Sequence, residues 1–213
     1  MHLDPAELEV ADRYKLLIGT ITPRPIALVS TLSPEGRPNL APFSFFNAIG
    51  SDPMMLLFCP ANKPDGSEKD SLRNAKPVEE GGTGQFVVSV ATDAIARQVA
   101  GAGEALAYGE SEFELTGLTP ASSRVVRAPR VEESPVAFEC ETARVIRTNP
   151  GAAGGGNIVI GRVVSVWLRD DLRHERMHID PARMDTIGRM GGMTYCRTRD
   201  RFDLPIGRRA LEG

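Results

Sequence analysis

Val136, Phe138 and Cys140 alternate with Ala137, Glu139 and Glu141, the period of a strand with one wet face, and the run extends to residue 146. Further strand-like runs lie at residues 26–31, 39–49, 54–59, 85–90 and 157–168, apolar or β-branched and separated by turn residues. Ser33-Pro34-Glu35-Gly36 is one such turn, and the glycine-rich stretch 150–156 is a flexible loop. Two short helices are predicted. The first starts at Asp4, which caps, with Pro5 at the first helical position and Glu7 where a capping-box acid belongs, and runs to about Leu17. The second spans residues 93–100, with Asp93 as cap and Gly101 as stop. Many short strands and few helices favour a closed barrel or a sandwich, in the all-β to α+β range. No repeat or composition break divides the chain, so residues 1–213 read as a single domain.

Composition narrows the classes. The chain is 41% hydrophobic and 25% charged, enough to bury a core. A formal charge of −3 offers no general field for nucleic acid or anionic membrane. Arg197, Arg199, Arg201, Arg208 and Arg209 form a local basic run that reads as a solvated tail. Cys59, Cys140 and Cys196 are odd in number and lack CxxC spacing, which fits a reducing cytoplasm rather than a disulfide framework. The first residues carry no signal-peptide pattern, and no apolar run reaches membrane-spanning length, so a cytoplasmic, soluble protein is expected.

Candidate chemistry begins with what is missing. The glycines form neither GxGxxG between strand and helix nor GxxxxGK[ST], so any nucleotide is held without a Rossmann or P-loop site. His174-Glu175-Arg176-Met177-His178 matches the HExxH string of zinc peptidases. The surroundings are short, polar and closed by Pro181, with only Asp180, Asp185, Asp200 or Asp203 available as a third ligand, so a solvated loop is favoured over a metal site. Residues 22–53 are richer. Pro23 and Pro25 hold the backbone extended and aim Arg24 in a fixed direction, useful for an anion. Residues 39–48 mix small polar residues with aromatics without clean alternation, which suits a segment approaching a flat heteroaromatic ring.

These stretches resemble one known family. PRPIALVST, a turn ending in glycine and NLAPFSFFNAIGSDP are similar to the N-terminal signature of the flavin reductase-like, FMN-binding split-barrel family. Residues 69–74 (KDSLRN) resemble its phosphate segment, residues 134–140 (SPVAFEC) its strand with Glu-Cys, and residues 189–195 (RMGGMTY) its C-terminal motif. The match spans about residues 14–200, with Ser71 for the commoner threonine and Met54 where a second proline often stands. The resemblance implies a six-stranded Greek-key split β-barrel with a few short peripheral helices, usually dimeric, with FMN near the subunit interface.

On that resemblance, Lys69, Ser71 and Arg24 are the candidates for the FMN phosphate, which needs cations and hydroxyl donors. Asp70 has the wrong sign and is expected to orient or turn the chain. Backbone groups of residues 41–48, from Ala41, Pro42 and Phe43 to Ala48, with the side chains of Ser44 and Asn47, are candidates for the ring. Arg189 stands beside Gly191-Gly192 and is expected at the cofactor or the nicotinamide phosphates, or, like Tyr195, at a dimer interface. The implied activity is hydride transfer from NADH or NADPH to flavin, feeding a partner oxygenase, with no catalytic triad and no metal because the cofactor carries the chemistry. A flavin-binding protein with little turnover (carrier, sensor or chaperone) is the alternative. A zinc hydrolase and a haem-binding version of the fold are more distant ones.

Overall fold

The computed structural model describes residues 1–211. The N-terminal segment forms two pieces where one helix was expected. Asp4 does cap, accepting from the Ala6 amide at 2.8 Å, but the turn it starts is a 3-10 helix over Pro5–Glu7. Leu8 and Glu9 are extended, and the helix proper, α1, spans Val10–Thr20. None of its residues is buried.

The chain continues as β1 (Arg24–Pro25), β2 (Ala27–Leu32), β3 (Pro38–Phe43), β4 (Phe46–Ser51) and β5 (Met54–Phe58). Helix α2 (Asp70–Ala75), β6 (Gln85–Val90), α3 (Ala96–Gly101) and α4 (Glu112–Thr116) follow. The remainder is β7 (Pro120–Ala121), β8 (Arg130–Val131), β9 (Val136–Arg147), β10 (Asn157–Leu168), α5 (Pro181–Met184), β11 (Ile187–Arg189) and β12 (Tyr195–Arg197).

Seven strands make the main sheet, in the order β3-β2-β6-β9-β10-β5-β4 with every pair antiparallel. β3 and β4 are its two edges, yet only Ser44 and Phe45 separate them in the chain. Three Cα-to-Cα steps reach at most about 11 Å. The sheet therefore curls until its edges nearly meet, leaving a barrel open along one seam. The expected six strands become seven for a local reason: residues 39–49, read as one run, break at Ser44-Phe45 and serve both edges.

The edge of β3 is protected. The Leu40 amide points outward and is taken by the Glu112 carboxylate at 2.8 Å. Pro38 and Pro42, two residues to either side, share that facing and have no N–H to leave unpaired. Alternation along β2 and β3 then supplies two cores. Ala27, Val29 and Phe43 face the barrel interior with Phe58, Phe86, Cys140 and Val159. Leu28 and Leu40 face outward against Val99, Phe113, Val131 and Ile187. Each of the larger ones, the Val, Leu, Ile and Phe side chains, contributes roughly 1.5–3 kcal/mol by leaving water.

The second predicted helix also divides, into a 3-10 turn over Asp93–Ile95 and then α3. Asp93 is not a side-chain cap, because Arg197 and Arg199 take its carboxylate at 2.9 and 2.8 Å. Arg199 also reaches Asp185 at 2.7 Å, clamping the β1-β11-β12 sheet and the following segment to the body. Among the described residues no helix is long and apolar enough to cross a membrane.

Candidate functional site

The seam crossover lies between two clusters of cationic side chains. At one end stands Arg24, which β1 places opposite Arg189 of β11 in strand register. Arg24 is 4% exposed and its donors are largely spent. Nη1 donates to the Ile18 and Ile21 carbonyls, each at 2.6 Å, Nη2 to the Met190 carbonyl at 2.9 Å, and Nε to Ser44 Oγ at 3.2 Å. It serves the C-terminal end of α1, where free carbonyls favour a cation. Phe45 lies 6.0 Å from this guanidinium and 6.5 Å from the Tyr14 ring of α1. Arg189 rests over Tyr195 at 4.4 Å and donates to the Gly192 carbonyl at 2.6 Å.

At the other end Lys69 precedes α2, its ammonium 6.0 Å from the Phe43 ring. Burial, and after it the Lys63 charge, push the Lys69 pKa down. Among the described residues no carboxylate pairs with it. Asp70 is turned instead to Lys63 at 3.0 Å. Lys69 is exposed, and a cation at the surface without an internal counter-charge is available to an anion from outside.

The other predicted residues divide between packing and surface. Ala41 and Phe43 point into the barrel core, and Pro42 packs near Gly103. The backbones of Ala41 and Phe43 face β2, which leaves the Pro42 carbonyl on the outward side of this part of β3. Asn47 and Ala48 are exposed on edge strand β4, and the Asn47 side chain turns back to accept from the Ala48 amide at 2.9 Å. Ser71 is 2% exposed and accepts from Asn39 Nδ2 at 3.1 Å. Asn74 donates to Thr31 Oγ1 at 3.1 Å. Half of the 69–74 motif therefore bolts α2 to β2 and β3, and Ser71 lies inside that packing rather than at an open surface.

The other motifs have structural roles too. Glu139 carries its carboxylate to three consecutive backbone amides, Arg124, Val125 and Val126, at 2.9, 2.6 and 3.1 Å. The HExxH string is no helix: it holds a 3-10 turn over Glu175–Met177 with Arg176 and Met177 at positive φ (56° and 61°). The two imidazoles therefore do not share a helix face. His174 instead meets Asp180 at 3.4 Å, and no group of three or more His, Cys, Asp or Glu gathers among the described residues. Sequence reasoning missed Tyr14 and Glu112 as parts of the seam, and named Phe45 only through its backbone. Glu112 had no local signal, because its partner Leu40 lies far away in sequence.

The seam residues can hold a flat, anionic ligand: a cation at Lys69, a hydroxyl at Ser44 and an exposed strand edge between them. The family model described as "Flavin reductase like domain" matches residues 19–199. Among solved structures, nitrilotriacetate monooxygenase component B from Bacillus cereus is 33% identical, with a TM-score of 0.88, covering 96% of this chain and 98% of that one. Pseudomonas fluorescens 2-nitrobenzoate 2-nitroreductase is 32% identical, with a TM-score of 0.82, covering 98% and 97%. An uncharacterized protein of Deinococcus radiodurans is 38% identical over 211 residues, 95% of this chain and 88% of the other.

Proposed function

The chain belongs to the flavin reductase-like family, and from that premise we propose that it binds FMN along the barrel seam and transfers hydride to it from NADH or NADPH. The observation that carries the reading is Lys69, exposed beside the crossover and, among the described residues, with no carboxylate of its own. It would hold the phosphate, whose charge also offsets the repulsion between Lys69 and Lys63. Backbone groups of residues 41–48 and the Ser44 hydroxyl would meet the ring, with Asn47 released from its own backbone to join them. Arg189, on the exposed side of β11, would face the nicotinamide phosphates.

When bound, the flavin supplies the two-electron chemistry, and the protein supplies orientation and electrostatics. No general base is required. The seam has to keep one ring face open for the nicotinamide and place positive charge where the ring gains negative charge on reduction. Arg24 and Arg189 furnish that charge at one end of the crossover. A partner oxygenase is the consumer we propose for the reduced flavin, since the Bacillus cereus neighbour is named as a monooxygenase component. A homodimer is the assembly we propose, and the exposure of Val10, Tyr14, Leu16 and Leu17 on α1 supports it.

The test is a visible spectrum of the protein with FMN, followed by anaerobic NADPH and NADH. Flavin bands that bleach support the reductase reading and rank the donors. Bands that form but persist leave a carrier, sensor or chaperone. No flavin binding refutes the proposal.

A further inference from the structure

We infer that Arg24 is a positioning residue that acts on the flavin through Ser44, and is not a ligand of the phosphate. This rests on the seam being the flavin site.

Four donated hydrogen bonds leave the guanidinium no free fork, and a bidentate grip on phosphate needs one. Its acceptors come from three elements: the end of α1, the β11–β12 hairpin through Met190, and the crossover through Ser44. Arg24 thus ties both flanking elements to the seam.

Ser44 gains a defined polarity from this tie. A hydroxyl has two lone pairs and one proton. With a cationic N–H set against one lone pair at 3.2 Å, the proton turns away from Arg24. No other described residue hydrogen-bonds that hydroxyl, so Ser44 stands at the crossover as a polarised donor for an acceptor on the ligand. Phe45, the next residue, lies near both Arg24 and Tyr14, at 6.0 and 6.5 Å.

Comparing FMN with riboflavin, which has the same ring and no phosphate, separates the two roles. Dissociation constants for both are measured by flavin fluorescence on wild type, Lys69→Ala, Ser44→Ala, Arg24→Lys and the Arg24→Lys/Ser44→Ala pair, with thermal unfolding as the folding control. Lys69→Ala should weaken FMN by roughly 10–100-fold and spare riboflavin, the loss of one charge-assisted contact. Arg24→Lys and Ser44→Ala should each weaken both ligands by the same factor, roughly tenfold. Both should also move the visible bands of the bound flavin in the same direction. The pair should be weaker than the worse single variant by no more than about twofold, as for residues acting in series.

An Arg24→Lys protein that loses FMN but keeps riboflavin would make Arg24 a phosphate ligand and overturn the inference. Unchanged affinities and spectrum in Ser44→Ala would overturn it as well. That variant leaves the three carbonyl contacts of Arg24 in place, so it decides the matter even if Arg24→Lys does not fold. Wild-type protein that binds neither ligand would sink the flavin-site reading itself, a result distinct from both.

Discussion

Replacing Glu139 by glutamine exchanges one carboxylate oxygen for an amide that can only donate, at a place where three donors converge. Glu139 is 2% exposed on β9, and its carboxylate gathers the amides of Arg124, Val125 and Val126. Oε2 serves two of these amides and Oε1 one, so the best orientation of glutamine sets its NH2 against the Arg124 amide and keeps its oxygen for the other two. One bond to a charged acceptor is lost and becomes a clash of donors, and two fall from charged to neutral strength. At about 1.5–3 kcal/mol for a charged bond and about 0.5–1.5 for a neutral one, the sum is roughly 3.5–6 kcal/mol. For a domain of this size that lowers Tm by roughly 7–24 °C. The anchored segment also buries Val126 and Ala128 against Val87 and Ala137, so loosening it should expose residues 122–128 to protease first.

The pH dependence adds a signature. Burial pushes the Glu139 pKa up, but the backbone amides outweigh it and the net shift is downward. A lowered carboxylate contributes stability that is complete above its ordinary value and is lost as pH falls through the folded value. The gap between wild type and Glu139→Gln should therefore narrow toward acid. Urea unfolding followed at several pH values measures it. A glutamine variant within about 0.5 kcal/mol of wild type at neutral pH would refute the reasoning, since that is the range of an ordinary surface change.

Gly161→Ala should cost roughly 1–3 kcal/mol in the urea midpoint, because its methyl would run into Phe86 Cζ, with Cε1 only 2.8 Å away in a fully buried ring; a neutral result would mean the ring has room to move. Glu112→Gln tests the opposite sign. Burial raises the Glu112 pKa, so the wild type loses stability as pH rises through that value, while glutamine still accepts from Leu40 without that slope. Parallel stability–pH curves for the two proteins would count against it. Disrupting the clamp by Asp93→Asn should matter least, within about 1 kcal/mol, because Arg197 and Arg199 are more than half exposed, and added salt should shrink the effect.

Most strands were legible from local pattern. The alternating run that extends from 136 to 146 and the apolar runs at 26–31, 54–59, 85–90 and 157–168 each coincide with a strand to within one residue at either end, because period and β-propensity act over a few residues. Helix starts were less so. Asp4 capped as expected, but Leu8 and Glu9 adopt extended angles that divide the helix, and Asp93 went to two arginines more than a hundred residues away. Family motifs located the neighbourhood of the site without separating its roles: the same short stretch holds Lys69, open to an anion, and Ser71, sealed against Asn39.

By itself the sequence determined that this is a strand-rich, family-type flavin fold, since hydrophobic period and motif order are written along the chain. Only the tertiary structure decided that residues 39–49 serve two opposite edges of one sheet, because curling a sheet closed is a property of all seven strands together. It also decided that Arg24 is a buried tie while Lys69 is left uncompensated. A side chain's free donors are known only when every acceptor around it is known, and those acceptors, Ile18, Ile21, Ser44 and Met190, come from three separate parts of the chain.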